Sequence, residues 1–506
     1  MRDADVYYRP MKLRSKMSDV KAQPASTIHI GKRAFVTTIL IILALMTVSG
    51  ILTYLVPSGN YVHELRDGVD RVLPGTFAYA PRPDYPAWRW LTAPIEVLWS
   101  PGNLQVITII ILLVLIGGSF TVLDKSGILK VALSLIVARF KNNKYALMAA
   151  IIFFFMIASS VLGIYEEAAP LVVFIVPLAL YLGWDSLTGL GMSLLALGFG
   201  FAAATMDPFM VTIAQSLAGL PLYSGLWLRA IFFAFMFALV FLFVSRHARR
   251  VERDPDSSIV RAEDLELRAS IDVSLAVASE EAAAVPAMRR AGRWLGLWFL
   301  GAIAFILVAT RIPGLSTFAF PIMGLFFVVA CNGAAIIAGE RSRTLLSCFL
   351  AGAKSILPAI VMILMAMSVK IIITKGGILD TILYAASGAV GSVGPYAAVL
   401  FVYILTLALE FFIPSASAKA FLIIPIIAPL ADLVGLTRQT VVFAFDCGDG
   451  FANMLYPTNP FLMVCLGLTV VSYPKWVRWT APLQAITVLV CLAFMAFAVA
   501  IKFGPF

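Results

Sequence analysis

Histidine is nearly absent from this sequence. Its 506 residues hold three, His29, His63 and His247, none of them inside an apolar segment. There is no H-E-x-x-H, which argues against a zinc protease, and no G-x-x-x-x-G-K-[ST], which argues against a P-loop ATPase. Cysteine is scarce too. Cys331, Cys348, Cys447, Cys465 and Cys491 lie in apolar stretches, at spacings that suit neither a disulfide framework nor a zinc site. Charged residues make up 13%, against roughly 25% in soluble domains. What fills the chain instead is apolar: 61% of residues are hydrophobic and the mean hydropathy is +0.94. A water-soluble fold could not hide that much apolar surface. The composition predicts an all-α polytopic membrane protein rather than an enzyme. The net charge of +10 needs no nucleic acid partner, because Lys and Arg gather in the cytoplasmic loops of such proteins.

Crossing roughly 30 Å of hydrocarbon takes about 20 apolar residues. The first candidate span covers 35–56, after a basic tail, 1–34, that has no apolar core and reads as cytoplasmic. The aromatic-rich loop that completes 35–104 reads as external. Span 105–123 returns the chain to a cluster of Lys and Arg inside, and the short apolar stretch 127–140 reads as an interfacial helix. Span 226–247 ends at Arg246, Arg249 and Arg250. The one long hydrophilic stretch, 248–292, reads as a cytoplasmic linker, partly disordered. Paired spans fill 293–345, span 346–373 leads out, and 479–502 runs from inside to outside.

The two halves are related. SGILK at 126–130 matches GGILD at 376–380, an offset of 250. The offset then becomes 252, with Pro177 matching Pro429, Gly183 Gly435, Thr188 Thr440, Gly198 Gly450 and Pro208 Pro460. Gly and Pro mark backbone breaks rather than general apolarity. The first repeat, 105–247, begins outside; the second, 346–506, begins inside. Inverted topology of this kind is common in secondary transporters. Segments 145–183 and 396–434 then read as re-entrant hairpins, and 186–220 and 437–470 as broken helices, for about nine full spans.

Four polar breaks follow from this reading. They carry Ser159, Ser160, Glu166 and Glu167; Thr205, Asp207 and Pro208; Glu410, Pro414, Ser415, Ser417 and Lys419; and Asp446, Asp449, Asn453, Pro457, Thr458 and Asn459. Irregular backbone at membrane depth is tolerated only against protein or a water-filled cavity. The candidate substrate ligands are Ser415, Ser417, Lys419, Asn453, Thr458, Asn459 and Thr205. The candidate coupling carboxylates are Glu166, Glu167, Asp207, Asp446 and Asp449. A charge at the centre costs about 2.5–3.5 kcal/mol on insertion scales. The plainer reading is therefore helix capping or structural ion pairing, for example of Lys419 with Asp446 or Asp449. Asp185 and Asp432 read as hairpin bases in water, and Arg438 as just outside. No cofactor is implied beyond a possible Na⁺.

At these breaks the sequence resembles the YfcC family of membrane transporters, in the DcuC-like branch of the ion-transporter superfamily. The resemblance rests on TYLVPSGNY (53–61), EEAAPLVVFIVPLALYLGWDSLTG (166–189), DPFMVTIAQSLAGLPLYSG (207–225), FFIPSASAKAFLIIPIIAPLADLVGLTRQ (411–439) and GDGFANMLYPTNPFLM (448–463). The family's second tip commonly reads Pro-Ser-Gly-Ser-Gly, where this chain has Pro414-Ser415-Ala416-Ser417-Ala418. Ser417-Ala418-Lys419 is also similar to the tip of the AbgT family. The resemblance implies an elevator mechanism, a homodimer, residence in the inner membrane and coupling to Na⁺ or H⁺. It implies a substrate among C4-dicarboxylates, basic amino acids and related zwitterions. A channel-like facilitator without ion coupling is the competing function.

Overall fold

The computed structural model describes residues 32–504, except 67–68, 74, 101–102, 129–139, 141–142, 208–209, 266, 268–285, 310–318 and 391–392. Most of 127–140, the expected interfacial helix, therefore lies outside the described residues, as do Pro208 and residues 268–285 of the linker.

The apolar runs become helices: α1 (Lys32–Leu55), α2 (Arg89–Glu96), α3 (Asn103–Lys125), α4 (Lys144–Leu162), α5 (Ala169–Tyr181), α6 (Ser186–Leu190), α7 (Ala196–Ala202), α8 (Val211–Leu217) and α9 (Leu226–Arg253). The second half supplies α10 (Pro286–Ala309), α11 (Ala319–Ile337), α12 (Ser342–Ser355), α13 (Leu357–Lys375), α14 (Leu379–Val390), α15 (Pro395–Glu410), α16 (Ala416–Leu433), α17 (Arg438–Gly450), α18 (Pro460–Gly467) and α19 (Tyr473–Ala500). Among the described residues, seven helices are long and apolar enough to cross a membrane, and several shorter apolar helices accompany them. The expected span 346–373 is two helices, α12 and α13, which meet at Ile356 just before Pro358.

Among the described residues, strand is confined to the loop after α1. There Gly59–Asn60 pairs with Ala78–Tyr79, and His63–Arg66 pairs with Val69–Val72. The dipeptide Asp67-Gly68 between the latter two is a strong hairpin signal that the all-α expectation passed over. The loop is docked. Tyr61 donates its backbone N–H to Asp380 at 2.9 Å, and Phe77 stacks on Tyr384 with ring centroids 4.1 Å apart.

Two groups of helices emerge. One packs α3 against α11 and α12, α10 against α11, and α1 against α13. Its close approach depends on small residues, as helix packing in lipid generally does: a Cβ on Gly352 would collide with the Gly117 carbonyl. The other group packs α4 on α7, α15 on α17, α16 on α17, and α9 along α4 and α7.

The second group carries the repeat. Gly183 and Gly435 both take positive φ, +88° and +74°, after α5 and α16. Asp185 then caps α6 by accepting from Thr188 N, and Thr437, 252 positions on, caps α17 by accepting from Thr440 N. Asp207 Oδ1 accepts from Met210 N at 3.4 Å, while its equivalent Asn459 accepts from Leu462 N at 3.1 Å. The packing is reciprocal as well. A Cβ on Gly198 would meet Met454, and one on Gly450 would meet Ala202, the equivalent of Met454. Reciprocity of this kind is the signature of a two-fold relation.

Candidate functional site: the junction of the four polar breaks

Each polar run interrupts its helix. Gly163, in the left-handed region at φ +68°, ends α4, and a short 3₁₀ turn, Glu166–Ala168, precedes α5. Residues 203–210 separate α7 from α8, Phe411–Ser415 separates α15 from α16, and a 3₁₀ turn, Ala452–Met454, followed by Leu455–Asn459, separates α17 from α18.

The first two breaks are tied together. Ser160 Oγ donates to the Ala203 carbonyl at 2.9 Å and lies 3.0 Å from Thr205 Oγ1, while Thr205 N donates to the Ser160 carbonyl at 3.0 Å. Tyr165 reaches across to the other repeat, with its ring 4.4 Å from Phe461 and its hydroxyl 4.0 Å from Met454 Sδ. In the second repeat Phe411 packs edge-on against Tyr456 at 5.5 Å. The four breaks therefore form one junction.

The charges within it divide into two buried clusters. Lys419 Nζ ion-pairs with both Glu410 and Asp449, and all three side chains are 0% exposed. Arg229, on α9, ion-pairs with Asp446, again fully buried. The sequence reading offered Asp446 and Asp449 alike as partners for Lys419. The two lie three residues apart on α17, and only Asp449 faces Lys419. Arg229 and Glu410 were missed as ligand or coupling residues. Arg229 stands alone near the start of an apolar run, where an arginine reads as a flank, and Glu410 was read as part of a tip but not as a coupling carboxylate. Within the first cluster, two carboxylates face one ammonium.

The remaining expected residues sit around these clusters. Asn459 hydrogen-bonds to Asn453, and Asn453 Nδ2 donates to the Asp449 carbonyl at 3.2 Å. Ser415 caps α16 and lies 3.3 Å from Ser417 Oγ. Thr458 is buried, and its hydroxyl has no hydrogen-bond partner among the described residues. Asp207 is buried in its capping role and Glu166 is partly buried. The side chain of Glu167 lies outside the described residues. Among the described residues, no group of three or more His, Cys, Asp or Glu side chains is placed to hold a metal ion.

Asp185 departs from its expected place in water. It is buried, with its carboxylate 2.8 Å from His247 Nε2 and accepting from Ser258 Oγ at 2.7 Å. The reason is the linker, whose first part folds back beneath α6. Asp264 accepts from Ser186 N at 3.0 Å, Val260 is buried, and Glu263 pairs with Lys475 at 2.5 Å. Asp432, by contrast, is half exposed and salt-bridged to Arg438 at 2.7 Å.

Residues 35–500 match the family model described as DcuC, C4-dicarboxylate anaerobic carrier. An Escherichia coli protein named "Putative basic amino acid antiporter YfcC" is 30% identical over 403 residues, 77% of each chain. An uncharacterized protein from Haemophilus influenzae is 25% identical over 77% of this chain and 75% of its own length. Among solved structures, the crystal structure of the Alcanivorax borkumensis YdaH transporter aligns with a TM-score of 0.41 and 16% identity, over 93% of this chain and 100% of that one. With residues 35–500 of the chain matched by the family model, and with its interrupted apolar helices, this chain belongs to the DcuC family and is a YfcC-type multi-pass membrane transporter.

Proposed function

We propose that the protein is a secondary active transporter of a small carboxylate or amino acid, driven by Na⁺ or H⁺ or working by exchange. The observation that carries this reading is the Glu410–Lys419–Asp449 cluster. Two carboxylates with one ammonium, wholly buried, leave one negative charge without a counter-charge. Burying an uncompensated charge is strongly unfavourable. A proton, a cation or a substrate ammonium group restores neutrality, and binding is thereby linked to charge. The family model's description names C4-dicarboxylates and the Escherichia coli relative's name a basic amino acid. The excess negative charge favours a substrate with an amino group, whose carboxylate would meet the half-helix N-termini at Ser415 and Asn459.

In this proposal Ser415, Ser417, Lys419, Asn453, Thr458, Asn459 and Thr205 orient the substrate. Asp449, with Glu410, carries the coupling, ahead of Glu166, Glu167, Asp207 and Asp446. The core around the breaks slides as an elevator against α3 and α11 in a homodimer of the inner membrane. The N-terminus is cytoplasmic and the C-terminus external.

The test is uptake of labelled arginine, ornithine and succinate into proteoliposomes under imposed pH or Na⁺ gradients. Glu410→Gln and Asp449→Asn should keep counter-flow exchange of the transported compound but lose gradient-driven accumulation. Accumulation at the wild-type ratio in both variants would remove the coupling assignment. Flux that never exceeds equilibration in the wild type would point to a facilitator.

A further inference from the structure

A second concave site lies away from the junction, at the basic end of α9. A cavity of ≈ 520 Å³ is lined by Phe243, Arg246, His247 and Arg250 from α9, by Ser257 and Ile259 from the start of the linker, and by Arg478, Trp479 and Pro482 from α19. Arg246 and Arg250 are four residues apart and share a helix face. Arg478 meets them from the opposite wall. None of the three guanidinium groups has an ion-pair partner among the described residues. The nearby acids are otherwise engaged: Asp185 faces His247 and Ser258, and Asp256 pairs with Arg261 at 2.7 Å.

Three convergent guanidiniums without a counter-charge call for an anion with several oxygens, and a planar guanidinium fork matches a phosphate. The rest of the lining is apolar. Trp479 packs against Phe243 with ring centroids 4.9 Å apart, forming a floor of a kind that a free inorganic anion does not need. Beyond this floor the surfaces of α9 and α19 are apolar and open, with Leu242 56% and Ile486 46% exposed. The cavity thus joins a cationic head to an apolar flank at the end of two membrane helices. Basic pockets between transmembrane helices bind anionic headgroups in this manner.

We propose that this cavity binds the headgroup of an anionic phospholipid, with its phosphate among Arg246, Arg250 and Arg478 and its acyl chains along Leu242 and Ile486. Because Ser257 and Ile259 form part of the wall, the bound lipid also holds the first part of the linker against α9 and α19.

The test uses the full-length protein in detergent and follows its thermal unfolding midpoint. Phosphatidylglycerol, phosphatidylcholine and inorganic phosphate are titrated separately. Three proteins are compared: wild type, the triple variant Arg246→Gln/Arg250→Gln/Arg478→Gln, and a control triple variant, Arg290→Gln/Arg293→Gln/Arg343→Gln, that removes the same charge elsewhere. The expected result is stabilisation of the wild type and the control by phosphatidylglycerol alone, with apparent affinity at least about tenfold weaker in the cavity variant. Equal losses in the two triple variants would show general attraction of a basic surface and overturn the site. Stabilisation by phosphate as strong as by phosphatidylglycerol would overturn the lipid assignment, and no effect of any anion would overturn both. Should the cavity variant fail to fold, Ser257→Trp fills the cavity while keeping every charge, and it should weaken phosphatidylglycerol binding by a similar factor. Unchanged binding in that variant would overturn the proposal.

Discussion

Phe199 and Phe451 stand at the same position in the two repeats, 252 residues apart, and they stack on each other edge to face with ring centroids 4.9 Å apart. Equivalent residues touch only close to the axis that relates them, so the approximate two-fold axis relating the halves passes near the contact of α7 with α17.

That contact predicts unequal costs for two formally equivalent substitutions. Gly450→Ala drives a methyl group into the Ala202 backbone, whereas Gly198→Ala meets the flexible Met454 side chain. Overpacking costs typically about 1–3 kcal/mol. Gly450→Ala should fall in that range and Gly198→Ala below it, as read from thermal unfolding of the purified proteins. Equal destabilisation would mean that α7 and α17 can separate freely.

The Arg229–Asp446 pair is buried on both sides, so losing one partner strands a charge. Arg229→Leu or Asp446→Leu alone should destabilise by about 3–5 kcal/mol, and the double variant should recover most of that loss. A double-mutant cycle on thermal midpoints measures the coupling. Additive losses would show that the pair does not act as a unit.

Thr458 offers the cleanest separation of binding from folding. Its buried hydroxyl has no partner among the described residues, so Thr458→Val removes no hydrogen bond from the folded protein. If the hydroxyl meets substrate, the apparent transport constant should rise about two- to tenfold, the worth of one net hydrogen bond. The unfolding midpoint should stay put or rise. An unchanged transport constant would take Thr458 out of the substrate site.

Acid should loosen the docked loop between α1 and α3. Glu96 accepts from Arg89 and Lys375, each at 2.6 Å, and the Arg89 hydrogen bond leads in lowering its pKa to about 2, with Lys375 and Thr92 adding to it. A depressed carboxylate stabilises the fold above its ordinary range near 4.5 and loses that contribution as pH falls toward 2. Amide protection factors in 85–100, corrected for the intrinsic exchange rate at each pH, should therefore fall between about pH 4.5 and pH 2 in the wild type. Glu96→Gln should exchange faster at neutral pH and show no such acid step.

Much of this architecture was legible from glycines and prolines. They sit where a helix must stop or turn, and a repeated stop leaves the same residue at a fixed offset, as at Gly183 and Gly435. The breaks at Thr205, Ser415 and Asn453 were readable for the same reason, since polar residues in an apolar run signal irregular backbone. Partner choice was not readable. Asp446 and Asp449 are the same residue type on one helix, and only the packing of α9 against α17 gives one to Arg229 and the other to Lys419. Asp185 looked solvated because its cover, Ser258 and His247, comes from more than 60 positions away in sequence, at separations of 73 and 62.

The folded-back linker has a mechanical consequence. Asp264 grips the start of α6 in the first repeat, and Glu263 grips Lys475 at the start of α19 in the second. One short strap thus ties the start of α6 in the first repeat to the start of α19 in the second, and a shear between them would have to break it. In the proposed elevator, the parts of the core that the strap joins would move together against α3 and α11, with residues 254–265 as a passenger.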